Sequence, residues 1–296
     1  MQSPVLACVD GSACAAAAAA WAAREAGLRG VALRLLHVVP GLPGVAVPAS
    51  ASDHLRETGT RLVRRTVEDL TARCPELDVD GARAEGDVAE AVLDAAAQGA
   101  GLLVAGTRGT GGFPDLVVGS TALRLAAAAP CPVVLVPPRS GAAAGDLLAG
   151  RGARAVVLGF DAHRPVGEAA DFAFSAAELR AARLRVVQAW VLPAESVSPR
   201  SFVVTEEDRA TWEDREALDL SDALRPWQGK YPQVKTTFDL RLLHPAEALL
   251  NASRDAHLLV VGRCAEARPP EGRLGPVAHA VLHHVRRPVA VVPRGA

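Results

Sequence analysis

Lysine is nearly missing from this chain. Lys230 and Lys235 are the only lysines among 32 basic residues, and the other thirty are arginines. Neither lysine lies near a glycine-rich stretch, which excludes the phosphate loop that ends in Gly-Lys-Ser/Thr. Aromatics make up only 4% of the chain, so its core must be built from Ala, Val and Leu, as where helices cover a parallel sheet. Charge of one sign is also lacking. The net charge is −1; residues 1–150 carry 12 basic and 15 acidic groups, and the remainder 20 and 18. Neither half is a basic module, which excludes nucleic acid and an anionic membrane as partners drawn by field. Cysteine shows no C-x-x-C spacing. The five residues (Cys8, Cys14, Cys74, Cys131, Cys264) read as reduced, buried thiols. No run reaches the length of a clean membrane span. The apolar "ACAAAAAAWAA" near the start has no basic residues before it, and Asp10 interrupts. With Ser12 as a natural N-cap it reads as an ordinary helix. The expected location is cytoplasmic. Gly-x-Ser-x-Gly, HExxH and a Cys–His pairing are all missing, so nothing argues for hydrolysis or metal catalysis.

What is present is a repeat. "VLACVDGS" at 5–12 resembles "VVLGFDAH" at 156–163, "DVAEAVLDA" at 87–95 resembles "HPAEALLNA" at 244–252, and "APCPVVLVP" at 129–137 resembles "VRRPVAVVP" at 285–293. The offsets, 151 for Asp10 to Asp161, 157 for Glu90 to Glu247 and 156 for Pro132 to Pro288, are nearly constant, so one domain has been duplicated. The joint is rich in Gly, Ala and Pro and lacks periodicity. It places the domains at 1–138 and 154–296, with a linker at 139–153.

Each copy alternates short apolar runs with amphipathic stretches. In the first, strands are expected at "VLACV", "VALRLLHVV", "VDGARA", "LLVAG" and "PVVLVP", with helices near 13–27, 52–73, 87–98 and 120–128. In the second they are expected at "AVVLGF", "LRVVQAWV", "VKTTFDL", "HLLVVG" and "PVAVVP". Near-continuous apolar strands separated by helices imply a parallel sheet covered on both faces. The predicted fold class is therefore α/β: two tandem doubly wound domains, each with a five-stranded parallel sheet of Rossmann-like type. Exposed apolar edge strands such as these need cover.

In such sheets ligands sit beyond the carboxyl ends of the strands, where the winding reverses. Two of these ends carry unusual chemistry. "VDGS", Val9–Ser12, follows the first strand, and "GTRGTGGFPDLVVGST", Gly106–Thr121, follows the fourth. The second has the spacing Gly106, two residues, Gly109, nine residues, Gly119, Ser120. Glycines permit positive φ and close backbone approach, and successive N–H groups form an anion nest. Gly119, Ser120 and Thr121 then open a helix whose free N–H groups attract phosphate. Arg108 and Arg124 are the nearby cations. No second carboxylate is aimed at a metal, which argues against fast phosphoryl transfer.

With these motifs the first copy resembles the universal stress protein family, in its ATP-binding type. The strand-one Asp, the G-x2-G-x9-G-[S/T] loop, the "ACVDGS" opening and the "CPVVLVP" close carry the resemblance, and the repeat extends it over nearly the whole chain as a tandem member. The resemblance implies ATP, with Mg left open. Val9 and Asp10 would line the nucleoside side. Val38 or Val39 would offer backbone to adenine, and Gly106, Thr107, Arg108, Gly109, Gly119, Ser120 and Thr121 would line the phosphates. Asp10 would accept from ribose hydroxyls or support a cation. The resemblance also implies that the closing runs "PVVLVP" and "PVAVVP" pair across the two domains.

The second copy departs from the pattern. In "GRCAEARPPEGRLGPV", Gly262 and Gly275 keep their places, but Ala265 replaces the second glycine and Pro276 the serine. Asp161 stays, while Ala162 and His163 replace Gly-Ser. Alanine disfavours positive φ, and proline removes a hydroxyl and an N–H, so this copy is expected to be a structural partner. His279 and His283 sit one helical turn apart with no third ligand in register and read as a helix face. Trp212 and Trp227 read as helix packing. Three functions stay open: an ATP-binding regulatory protein, a weak ATPase or phosphotransferase, and a nucleotide-free interaction scaffold. Homodimer formation is also left open.

Overall fold

The computed structural model describes residues 3–41, 48–110, 117–138, 155–190, 205–263 and 274–295. The proposed linker 139–153, Phe113, Cys264 and Ala265 lie outside them. The chain divides into two compact units, and the run Pro288–Pro293 from the end of the chain groups with the first.

The first unit contains β1 (Val5–Cys8), α1 (Ala13–Arg29), β2 (Leu33–Pro40), α2 (Ala49–Arg73), β3 (Val79–Gly86), α3 (Val88–Ala97), β4 (Leu102–Gly106), α4 (Ser120–Ala128) and β5 (Val133–Val136), together with the last strand of the chain, β10 (Val289–Val292). Its sheet runs β3-β2-β1-β4-β5-β10. The first five strands are parallel, with Val5 beside both Leu33 and Leu102. β10 runs antiparallel to β5, with Val289 opposite Leu135 and Val291 opposite Val133. The two closing apolar runs thus lie side by side, and β10 occupies the edge that β5 would otherwise expose.

Local signals explain the elements. α1 is almost all alanine, which packs closely and costs no side-chain entropy. Ser12 caps it, its hydroxyl accepting from the Ala15 N–H at 3.1 Å, and Gly30 ends it in the left-handed region at φ 65°. Ala18, Ala22 and Ala26 are wholly buried, so the helix lies close on the sheet. β1, β4 and β5 are buried from end to end apart from their terminal residues Cys8 and Gly106, as strands covered on both faces must be. β3 is an edge strand and correspondingly polar and exposed.

The second unit contains β6 (Val156–Gly159), α5 (Gly167–Leu179), β7 (Leu184–Trp190), α6 (Glu206–Lys230), β8 (Thr236–Leu242), α7 (Pro245–Ala252), β9 (Leu258–Gly262) and α8 (Pro276–His284). Its strands run β9-β6-β7-β8, all parallel. Trp227 on α6 packs edge-on to Phe160, with ring centroids 6.4 Å apart, and closely over Gly167, which places it in helix packing. Among the described residues no helix is long and apolar enough to cross a membrane.

Candidate functional site

The order β3-β2-β1-β4-β5 reverses its winding between β1 and β4, so the crevice falls at the ends of these two neighbours. Asp10 follows the first and the glycine stretch the second. The two loops are tied together by one carboxylate. Asp10 Oδ1 accepts from the Ser12 N–H at 2.9 Å, and Oδ2 accepts from the Thr110 N–H at 3.2 Å, a hundred residues away in sequence. Ser12 adds a long contact, its hydroxyl donating to the Arg108 carbonyl at 3.5 Å.

The glycines act differently from the expectation. None of Gly106, Gly109 and Gly119 has positive φ; the left-handed glycine of this crevice is Gly11, at φ 84°. What the loop glycines supply is space. A Cβ on Gly109 would stand 2.6 Å from Asp10 Oδ2. One on Gly106 would stand 2.8 Å from Cys14 Cβ and 3.0 Å from its carbonyl carbon, so Gly106 lets the start of α1 lie against the end of β4. It is a packing residue first. Gly119 is the N-cap of α4, and its N–H donates to the Thr107 carbonyl at 2.8 Å. No side chain caps α4, which leaves the first-turn N–H groups of Ser120, Thr121 and Ala122 without intrahelical acceptors, with both hydroxyl-bearing residues exposed. Arg124 is committed elsewhere: its Nη1 donates to Asp87 Oδ1 at 2.8 Å, at the mouth of α3.

The remaining expected residues sit as follows. Val9 is buried, and its carbonyl contacts His37 Nδ1 at 2.7 Å, which joins the ends of β1 and β2. Val38 and Val39 are buried near the end of β2, beside Ala84 and Glu85 of β3. Thr107 is buried. Its hydroxyl finds no hydrogen-bond partner among the described residues, although it lies close enough to the Cys14 thiol to favour the thiolate. Burial dominates at both crevice cysteines. It pushes Cys14 up despite the Arg108 backbone, and, with the Asp10 charge second, pushes Cys8 up to about 12. Both are inert neutral thiols at neutral pH.

Sequence reasoning missed two residues of this site. His37 interrupts the apolar run "LRLLHVV", and that break in pattern was its signal. Leu62 of α2 approaches Gly11, to 3.8 Å from where a Cβ would stand, and had no signal, because only the packing of α2 brings it there.

The second unit repeats the carboxylate turn. Asp161 Oδ1 accepts from the His163 N–H at 3.0 Å. The neighbouring Ala162 N–H donates to Gln188 Oε1 at 3.1 Å, and Gln188 Nε2 donates to Glu216. His163 Nε2 lies 3.0 Å from Glu216 Oε1, and this hydrogen bond raises the His163 pKa against the opposing effect of burial. A raised folded-state pKa stabilises the protein below the unfolded value, near 6.5, and the contribution is lost as pH rises through the folded value. Glu216→Gln is therefore expected to lower Tm more at about pH 5.5 than at about pH 8.5. Melts of both proteins at the two pH values check this, and equal losses would show that His163 is not the titrating partner.

Pro276 stands at the start of α8, and Gly275 donates to the Arg263 carbonyl at 3.3 Å. His279 and His283 lie with ring centroids 4.6 Å apart, and among the described residues no group of three His, Cys, Asp or Glu is placed to hold a metal.

These features define a doubly wound α/β protein whose crevice lies at the switch point of its first sheet. The sequence pattern of the universal stress protein family matches residues 1–137 and again 152–293, and the chain belongs to that family. It is similar to a universal stress protein of Mycolicibacterium smegmatis, with 29% identity over 97% of this chain and 96% of the relative. A universal stress protein of Mycobacterium tuberculosis is also 29% identical, over 96% of this chain and 92% of its own. The solved universal stress protein of Archaeoglobus fulgidus shares the fold, with a TM-score of 0.69 at 15% identity, covering 99% of this chain and 96% of that one.

Proposed function

We propose that the first unit binds ATP in a regulatory role and that nucleotide is held chiefly by backbone. The observation that carries this reading is the tie of Asp10 to the Ser12 and Thr110 N–H groups, together with the Gly119 N–H bond to the Thr107 carbonyl, which brings the start of the glycine stretch beside the uncapped start of α4. Phosphate would meet the N–H groups of Ser120, Thr121 and Ala122 and the two exposed hydroxyls, where the positive end of the helix dipole adds to the attraction. Thr107, Arg108 and Gly109 would flank it. The nucleoside would lie toward Val9, Asp10 and the Val38–Val39 backbone. A Mg ion would arrive with the phosphates, since among the described residues Asp10 is the one carboxylate of this constellation and both its oxygens already accept backbone N–H groups.

Slow hydrolysis is the weaker alternative: it lacks a lysine in the loop and, among the described residues, a second carboxylate at the crevice, and Arg124 is held by Asp87. The test is to purify the full chain, denature it and separate the supernatant by chromatography. ATP in stoichiometric amount is the expected result. ADP or AMP alone would favour slow turnover. No nucleotide, together with no binding of added Mg-ATP, would leave an interaction scaffold.

A further inference from the structure

The second unit lost the phosphate-gripping chemistry but kept a hollow. A cavity of about 260 Å³ lies beyond the ends of β6, β7 and β9, bounded by α5, α7 and α8, all within this unit. Its size follows from small residues: Gly159, Ala169 and Ala189 line it and keep side chains out of the space. Phe160, Leu249 and Val261 form apolar wall. Its charged groups are already engaged. Asp161 lies 3.4 Å from the Arg164 guanidinium, and Arg263 also has a partner within the protein. At the helix mouth Pro276 offers neither hydroxyl nor N–H.

We infer that this cavity is a second ligand site, for one small, uncharged, fused-ring aromatic compound and not for a nucleotide. Volume sets the size of the occupant. The space is well above the about 150 Å³ of an apolar cavity that admits benzene, so a second fused ring is accommodated. Charge decides against the nucleotide. Pro276 takes one N–H from the start of α8, so a triphosphate would find fewer helix-start donors there than at α4, and Arg164 is already engaged by Asp161. An aromatic occupant gains most from the wall. The Phe160 ring, itself 7% exposed and braced by Trp227, is positioned for an offset or edge contact. The site does not depend on what the first unit holds.

Indole is the probe. Saturation-transfer NMR on the full chain is expected to show transfer to indole, unchanged by added Mg-ATP, with intermolecular NOEs to the methyls of Ala169, Ala189 or Leu249. Ala189→Phe, at a half-buried position, fills the space and is expected to abolish the transfer, while Gly109→Val in the first unit leaves it intact. A melt verifies that the Ala189→Phe protein is folded; were it not, the NOEs in the unaltered chain decide alone. No transfer in the unaltered protein, transfer that survives in folded Ala189→Phe, NOEs to other methyls only, or displacement of indole by Mg-ATP would each overturn the assignment.

Discussion

Gly109→Val is expected to abolish ATP retention while leaving the chain folded. The first atom of the new side chain would stand 2.6 Å from Asp10 Oδ2, closer than carbon and oxygen tolerate. Either the carboxylate turns away or the loop backs off, and in both cases the bond to the Thr110 N–H is lost. Hydrogen bonds to charged groups contribute about 1.5–3 kcal/mol each. Losing one, and with it the placement of the glycine stretch, corresponds to roughly a hundredfold in affinity. Gly109 is exposed, so the core is untouched. Isothermal titration with Mg-ATP measures the effect, and Ala265→Val at the corresponding position of the second copy is the control, expected to change nothing. Unaltered binding by Gly109→Val, or equal losses from both substitutions, would remove the basis for placing ATP in the first unit.

Ending the chain after Arg287 is expected to cost the first unit most of its stability, although the deleted residues are more than 150 positions from the strand they cover. Deletion removes β10 and leaves the β5 edge unpaired. Val289, Val291 and Val292 are each no more than 2% exposed. Burying a valine contributes about 1.5–3 kcal/mol, so three of them approach the total stability of a domain, about 5–15 kcal/mol. The uncovered edge is also apolar, a template for strand addition between molecules. Thermal melts and size-exclusion chromatography check both effects. A truncated chain that stays monodisperse and melts with the full chain would show that β5 needs no cover.

Much of the fold was legible because its signals are local. Short continuous apolar runs such as "LLVAG" and "PVVLV", bounded by turn residues, read as strands buried on both faces, and "ACAAAAAAWAA" behind Ser12 reads as a helix. The duplicated motifs showed two units before any coordinate did. The candidate site was legible as a list of residues but not as a mechanism. Gly109 and Gly106 stood out by spacing, yet spacing cannot say that one makes room for a carboxylate and the other for Cys14. Arg124 stood out as a cation near the loop, and only the position of α3 shows that Asp87 takes it.

By itself the sequence determined the periodicities, the caps, the repeat and the residue types offered at each strand end, since these depend on neighbours a few positions apart. Tertiary structure decided which offers meet. It bound Asp10 to Thr110, put the last strand of the chain against β5, and left a hollow where Pro276 and Ala189 stand in place of donors and bulk. Those outcomes depend on chain segments a hundred or more residues apart coming within bonding distance, and no local pattern encodes such a distance.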